Sequence, residues 1–190
     1  MPHDTDHVRV PLAQLIELQP ALRQQEPTLV GEVTAWFEEL RAPVLRYLAS
    51  VGLVPQDREE IAQEVFLALF DHLKQGRPRT NLRGWIFRVA HNLALKRRSR
   101  GVRLVAWDED IASGRRATEP DPEQRFSDLQ RRRRLLAVVR SLAPKERSCL
   151  MLRAEGLRYR EIAEALGMSL GAVAIALERA LSKLNAVGGR

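Results

Sequence analysis

The chain has 190 residues, 45 % hydrophobic and 29 % charged, a balance that excludes a disordered polymer and a membrane bundle and leaves room for two modest cores. Lysine and arginine outnumber aspartate and glutamate by 31 to 24, a formal net charge of +7, so polyanions, nucleic acid first, are the favoured partners. The single Cys149 excludes an internal disulfide or a cysteine-anchored zinc cluster, and its place in an apolar helical run marks it as core.

Residues 1–28 form an N-terminal extension. Leu12, Leu15, Ile16, Leu18 and Leu22 hint at a helix, but Pro11, Pro20 and Pro27 interrupt it, so it is partly helical at most. His3, Asp4, Asp6 and His7 read as a polar terminus rather than a metal site. No apolar run reaches the ~20 residues that cross a bilayer, and the opening MPHDTDH lacks a secretion signal, so a cytoplasmic location is expected.

Residues 29–101 read as one three-helix domain. Val30, Val33, Phe37, Leu40, Val44, Leu48 and Val51 recur at helical spacing, with Pro43 a point of bending. Asp57 and Glu60 form a capping-box pattern that starts a second helix near Arg58, with Ile61, Val65, Leu69 and Leu73 inward and Gly76 and Pro78 ending it. Thr80 or Asn81 caps a third helix carrying Leu82, Ile86, Val89 and Leu93 on one face, with Trp85 beside them. Lys96 to Arg100 close it, more positive charge than a helix dipole alone would attract.

Residues 102–127 lose periodicity and gather Asp108, Glu109, Asp110, Glu119, Asp121 and Glu123, the composition of a flexible acidic linker. The second domain, 128–190, opens with a helix carrying Arg131 to Arg134, and Pro144 begins another that ends at Gly156. A short helix from Arg160 to Leu166, a turn at Gly167 and Met168, and a final helix capped by Ser169 and running to about Asn185 complete it. Ile162 and Ala163, then Gly167, then Val173 and Leu177 have the layout of a helix-turn-helix, whose second helix enters the major groove of DNA. The expected fold is therefore all-α, two small helical domains joined by the linker, the C-terminal one containing the helix-turn-helix.

DREEIAQEVFLALFDHL followed by LRGWIFRVAHNLALKRRSR resembles region 2 of the extracytoplasmic-function sigma factors of bacterial RNA polymerase, and LAPKERSCLMLRAEGLRYREIAEALGMSLGAVAIALERALSKL resembles their region 4. Order and separation agree with that class, over roughly residues 30 to 187. The resemblance implies a factor that binds core polymerase, through the beta-prime clamp helices and the beta flap, and directs it to promoter DNA. It also implies an anti-sigma protein as restraining partner, and no cofactor.

By the same resemblance, Glu60, Gln63, Glu64, Phe66 and Phe70 would dock on the clamp helices, a mixture of acids and aromatics suited to an interface. Arg79, Thr80, Asn81 and Arg83 would line the loop that holds an unpaired base of the minus-ten element, with Arg88, Asn92, Lys96 and Arg97 on the strand phosphates. Trp85 matches a core tryptophan of the family. At the minus-thirty-five element the corresponding residues are Arg158, Tyr159, Arg160, Ser169, Leu170, Ala172, Ala174, Ile175, Arg179 and Lys183.

Two departures stand out. Arg158 occupies the slot where the family often has a capping Ser or Thr, so the capping box is expected to be lost. Leu170, Ala172, Ala174, Ile175 and Ala176 replace the usual polar outer face of the recognition helix, and such side chains make no bidentate base contacts. No catalytic constellation competes: His72 and His91 lie in different helices without a paired nucleophile, and no glycine-rich phosphate loop is present. The rivals are a helix-turn-helix regulator independent of polymerase, which region 2 disfavours, and a sigma-derived interaction protein that keeps the polymerase contacts but has lost much promoter reading, with an enzyme last.

Overall fold

The computed structural model describes residues 28–100 and 122–188, all in helices and short connections. Helix α1 is Leu29–Ser50, α2 Pro55–Lys74, α3 Leu82–Ser99, α4 Pro122–Ser141, α5 Pro144–Ala154, α6 Tyr159–Leu166 and α7 Leu170–Gly188. The polar run from His3 to His7 and the acids from Asp108 to Asp121 lie outside the described residues.

Thr28 starts α1, its hydroxyl accepting from the Gly31 N–H at 3.2 Å, and Pro43 lies within that helix. Helix α2 begins earlier than the capping-box pattern suggests, because Pro55, with its preset φ and no N–H to orphan, suits the first turn. Asp57 then falls inside the first turn, and its carboxylate pairs with Arg97 instead of capping.

The cap of α3 is Asn81, in the left-handed conformation at φ 54°, with its side-chain oxygen accepting from the Gly84 N–H at 3.1 Å. A Cβ on Gly84 would stand 2.6 Å from the Asn81 side chain, so the capping geometry requires glycine there. Gly84→Ala should therefore lower stability by about 1–2 kcal/mol. A thermal melt matching the parent would show that Asn81 can yield without cost.

Leu40, Val44, Tyr47, Leu48, Ile61, Val65, Leu69, Ile86 and Phe87 form the core of the first three helices, all at most 1 % exposed. Trp85 packs half-buried against this core, its ring 4.6 Å from that of His72. In the C-terminal half, α4 starts at Pro122, inside the stretch whose composition suggests linker, and α5 to α7 close on Cys149, Leu152, Leu157, Ile162, Val173 and Leu177.

Burial pushes the Cys149 thiol up to about 11, and its sulfur lies 4.0 Å from that of Met168. Thiolate is then scarce at neutral pH. Alkylation at pH 8 should be slow for the native protein and fast once it is denatured; equal rates would place Cys149 outside the core.

The two halves pack together through one continuous apolar cluster. Arg46 of α1 donates from Nε and Nη2 to the two carboxylate oxygens of Glu155, at the end of α5, at 2.9 and 2.7 Å. Nearby, Ala49 packs with Leu136, Val139, Leu142 and Ala180. Helix α3 lies against α6, which places the start of the first domain's third helix beside the helix-turn-helix.

Candidate nucleic-acid and partner interfaces

One turn of α-helix spans 3.6 residues, so side chains three and four apart share a face. On α2, Gln63 and Glu64 are exposed and Glu60 half-buried along one such face, and Leu67 completes it at 67 % exposure. Phe66 does not belong to it: this ring is 5 % exposed and packs edge-on against Phe37, with centroids 5.0 Å apart. Phe70 is half-buried. The periodicity that assigns Ile61, Val65 and Leu69 to the core also puts Leu67 opposite them, a signal present in the sequence but outweighed by the aromatic character of Phe66.

On α3, Arg88, Asn92 and Lys96 recur every fourth residue and are all exposed, a continuous polar stripe of the kind that tracks a phosphate backbone. Neither Arg88 nor Lys96 has an ion-pair partner among the described residues. Arg97 lies off this stripe, turned toward α2. Its guanidinium donates to Asp57 at 2.9 Å and to Glu60 at 2.8 Å.

In the connection before α3, Arg79 pairs with Glu32 at 3.2 Å, and in the first turn of α3 Arg83 pairs with Glu39 at 3.1 Å, both acids coming from α1. Thr80 and Asn81 are exposed, and the Asn81 amide also donates to Glu164 of α6 at 3.4 Å.

The helix-turn-helix has the expected form. Gly167 sits at φ 62°, a left-handed turn that a side chain would strain. Ser169 caps α7, its hydroxyl accepting from the Ala172 N–H at 3.2 Å. The capping of α6 differs from expectation. Arg158 offers no side-chain acceptor, yet its N–H donates to the Glu161 carboxylate at 2.6 Å, so half of the box survives on the backbone of Arg158.

Arg158, Arg160 and Arg179 are exposed, and the Arg153 guanidinium lies 5.9 Å from the centre of the Tyr159 ring. Lys183 is engaged with Glu146 at 2.7 Å, a pairing that holds the Glu146 carboxyl below the usual carboxylate range. On the outer face of α7, Leu170 and Ile175 are each 52 % exposed, Ala174 is exposed and Ala172 half-buried. Ala176 was expected outward with them but is 7 % exposed, covered by the packing of α7 on α5.

Across the junction of the two halves, Thr80, Asn81, Gly84, Trp85 and Arg88 face Arg158, Arg160, Glu161 and Glu164 over a cleft of about 450 Å³. One edge of each candidate DNA-reading cluster, Thr80, Asn81 and Arg88 on one side and Arg158 and Arg160 on the other, therefore faces the same cavity. Among the described residues no group of His, Cys, Asp and Glu is placed to hold a metal, and no single helix is long and apolar enough to cross a membrane.

Residues 36–104 match the family described as Sigma-70 region 2, and residues 132–184 the one described as Sigma-70, region 4. The chain is 36 % identical over 133 residues to the ECF RNA polymerase sigma factor SigE of Mycolicibacterium smegmatis, covering 68 % of this chain and 51 % of SigE, so it spans about half of that relative. It is 30 % identical over 188 residues to the ECF RNA polymerase sigma factor SigD of Mycobacterium tuberculosis, covering 90 % of this chain and 88 % of SigD. In fold it is similar to CnrH, solved in complex with the cytosolic domain of CnrY, at a TM-score of 0.52 and 23 % identity over 82 % of this chain and 86 % of that one. It is likewise similar to RpoE, solved with the anti-sigma factor NepR from Bartonella quintana, at 0.53 and 23 % over 80 % and 96 %.

Proposed function

This chain belongs to the extracytoplasmic-function sigma factors of bacterial RNA polymerase, and from that premise we infer that it binds core polymerase and directs it to a class of promoters. The observation that carries this reading is the coexistence, in one small molecule, of an exposed acidic face on α2, a polar stripe on α3 and a helix-turn-helix rimmed by Arg158, Arg160 and Arg179. The α2 face (Glu60, Gln63, Glu64 and Leu67, with Phe70 at its edge) docks on the polymerase. Arg88, Asn92 and Lys96 hold the minus-ten strand while Thr80 and Asn81 meet its unpaired base, and α6 and α7 sit at the minus-thirty-five element. The chemistry of RNA synthesis stays with the polymerase, and the factor works in the cytoplasm, where polymerase and chromosome are.

Elements named for positions minus ten and minus thirty-five lie some 25 base pairs apart, about 85 Å along B-form DNA at ~3.4 Å per pair. Two clusters that share one cleft cannot reach both at once. The packed arrangement is therefore a resting form, and the halves separate when the factor engages polymerase and promoter. A restraining protein comparable to the anti-sigma factor NepR solved with RpoE would need only to favour this packed form.

Run-off transcription with purified core polymerase on genomic fragments tests the reading: discrete starts that depend on this protein are expected, and none would remove it. The apolar outer face of α7 favours one alternative, a sigma-derived protein that binds polymerase and reads promoters poorly. That protein would bind core in the same experiment yet give no discrete starts.

A further inference from the structure

We propose that Arg97 is a positioning residue of the polymerase-docking face, orienting Glu60 and Glu64, and is not one of the groups that grip the promoter strand. The inference rests on the reading of α2 as the docking helix.

Arg97 enters the docking face from α3. One arm of its guanidinium meets Asp57 at 2.9 Å, the other Glu60 at 2.8 Å and Glu64 at 3.8 Å. These carboxylates stand at steps of three and four residues along α2, so without a cation between them they repel and swing apart. A planar fork fixes two carboxylates in one geometry as a lysine does not. The mutual bond lowers the Glu60 carboxyl below the usual carboxylate range and raises the Arg97 guanidinium, so both stay charged.

Two features oppose a phosphate at Arg97. Three carboxylates, Asp57, Glu60 and Glu64, outnumber Arg97 even when the adjoining buried Arg58 is counted with it, so the cluster is net negative. An approaching phosphodiester would be repelled there, whereas a basic protein surface would be attracted. Asp57, moreover, is 7 % exposed and its second oxygen has no partner. Were Arg97 to leave for a phosphate, a nearly buried carboxylate would be stranded, which is costly. Glu60 and Glu64 keep 45 % and 53 % of their side-chain surface exposed, enough for a partner's cations to reach them.

The test uses the full-length protein, titrated by fluorescence against core polymerase, with permanganate footprinting of the melted strand at saturating core. Arg97→Ala should weaken core binding about tenfold, an effect of the size expected for a charge at an interface, and leave melting at saturating core unchanged. Arg88→Ala combined with Lys96→Ala should do the reverse. Asp57→Asn added to Arg97→Ala removes the stranded carboxylate, so it should restore the melting temperature without restoring core affinity, separating positioning from folding. Arg97→Ala and Glu60→Gln should also be non-additive on core affinity.

Normal core affinity with impaired melting in Arg97→Ala would overturn the proposal, as would additivity with Glu60→Gln. Glu64→Arg provides the control: if it too leaves core affinity untouched, the docking reading of α2 fails, whereas a loss there beside a normal Arg97→Ala sinks only the role of Arg97.

Discussion

Reversing one charge, Glu155→Arg, should separate the two halves of the molecule. The Glu155 side chain is 8 % exposed and Arg46 27 %, so the bidentate pair is shielded from water, and two guanidinium groups in its place would repel at close range. Loss of a largely buried pair costs about 3 kcal/mol, a large share of what a contact between small domains can supply. The apolar packing within each half, around Leu69 in one and Ile162 and Val173 in the other, does not depend on this pair and should persist. Small-angle scattering should give a larger radius of gyration than the parent, and the cleft between Asn81 and Arg160 should open. The isolated variant should then bind promoter DNA more tightly than the parent does, since the minus-ten and minus-thirty-five clusters are free to take up the separation that the two elements demand. Arg46→Glu combined with Glu155→Arg restores the pair in reverse and should restore compactness. Unchanged scattering and unchanged DNA affinity in the single variant would mean that apolar packing alone holds the closed form.

The second large effect concerns how the minus-thirty-five element is read. With Leu170, Ala174 and Ile175 outermost on α7, the helix offers apolar contact to thymine methyls and almost no hydrogen bonds to base edges. Single-base substitutions there should each cost less than the ~1–3 kcal/mol of a read base pair. Arg158, Arg160 and Arg179 remain exposed for phosphates, a contribution that depends on salt and hardly on sequence. Arg179→Ala should weaken every promoter alike and reduce the salt slope by about 1. Lys183→Ala should have the smaller effect, because Glu146 already holds that ammonium at 2.7 Å. Holoenzyme titrated against a promoter panel at several salt concentrations decides the matter, and steep position-specific losses with an unaltered slope would contradict this account of α7.

The seven helices among the described residues, the turn at Gly167, the cap at Ser169 and the core placement of Cys149 follow from the sequence by itself, because helical period, capping and left-handed turns are set within a few residues; between Thr80 and Asn81 as the cap of α3, only the structure decides for Asn81. Helix ends were less legible: Pro55 and Pro122 each begin a helix earlier than the cap and composition signals suggest. The family resemblance likewise pointed to α2, α3 and α7 as the helices that carry the proposed contacts. It did not say which of their side chains are available, since that depends on what each helix packs against. Phe66 is withdrawn by Phe37 and leaves Leu67 as the exposed apolar group, Ala176 is covered by α5, and Lys183 is engaged by Glu146. Arg97 shares the basic run that ends α3 with Lys96, yet the two side chains diverge by one residue's rotation of the helix, and only the packing of α3 on α2 brings Arg97 to Asp57 and Glu60. The pairing of Arg46 with Glu155 joins residues 109 positions apart. No local pattern encodes such a contact, because it forms only once two independently patterned helical units have buried their remaining apolar surfaces against each other.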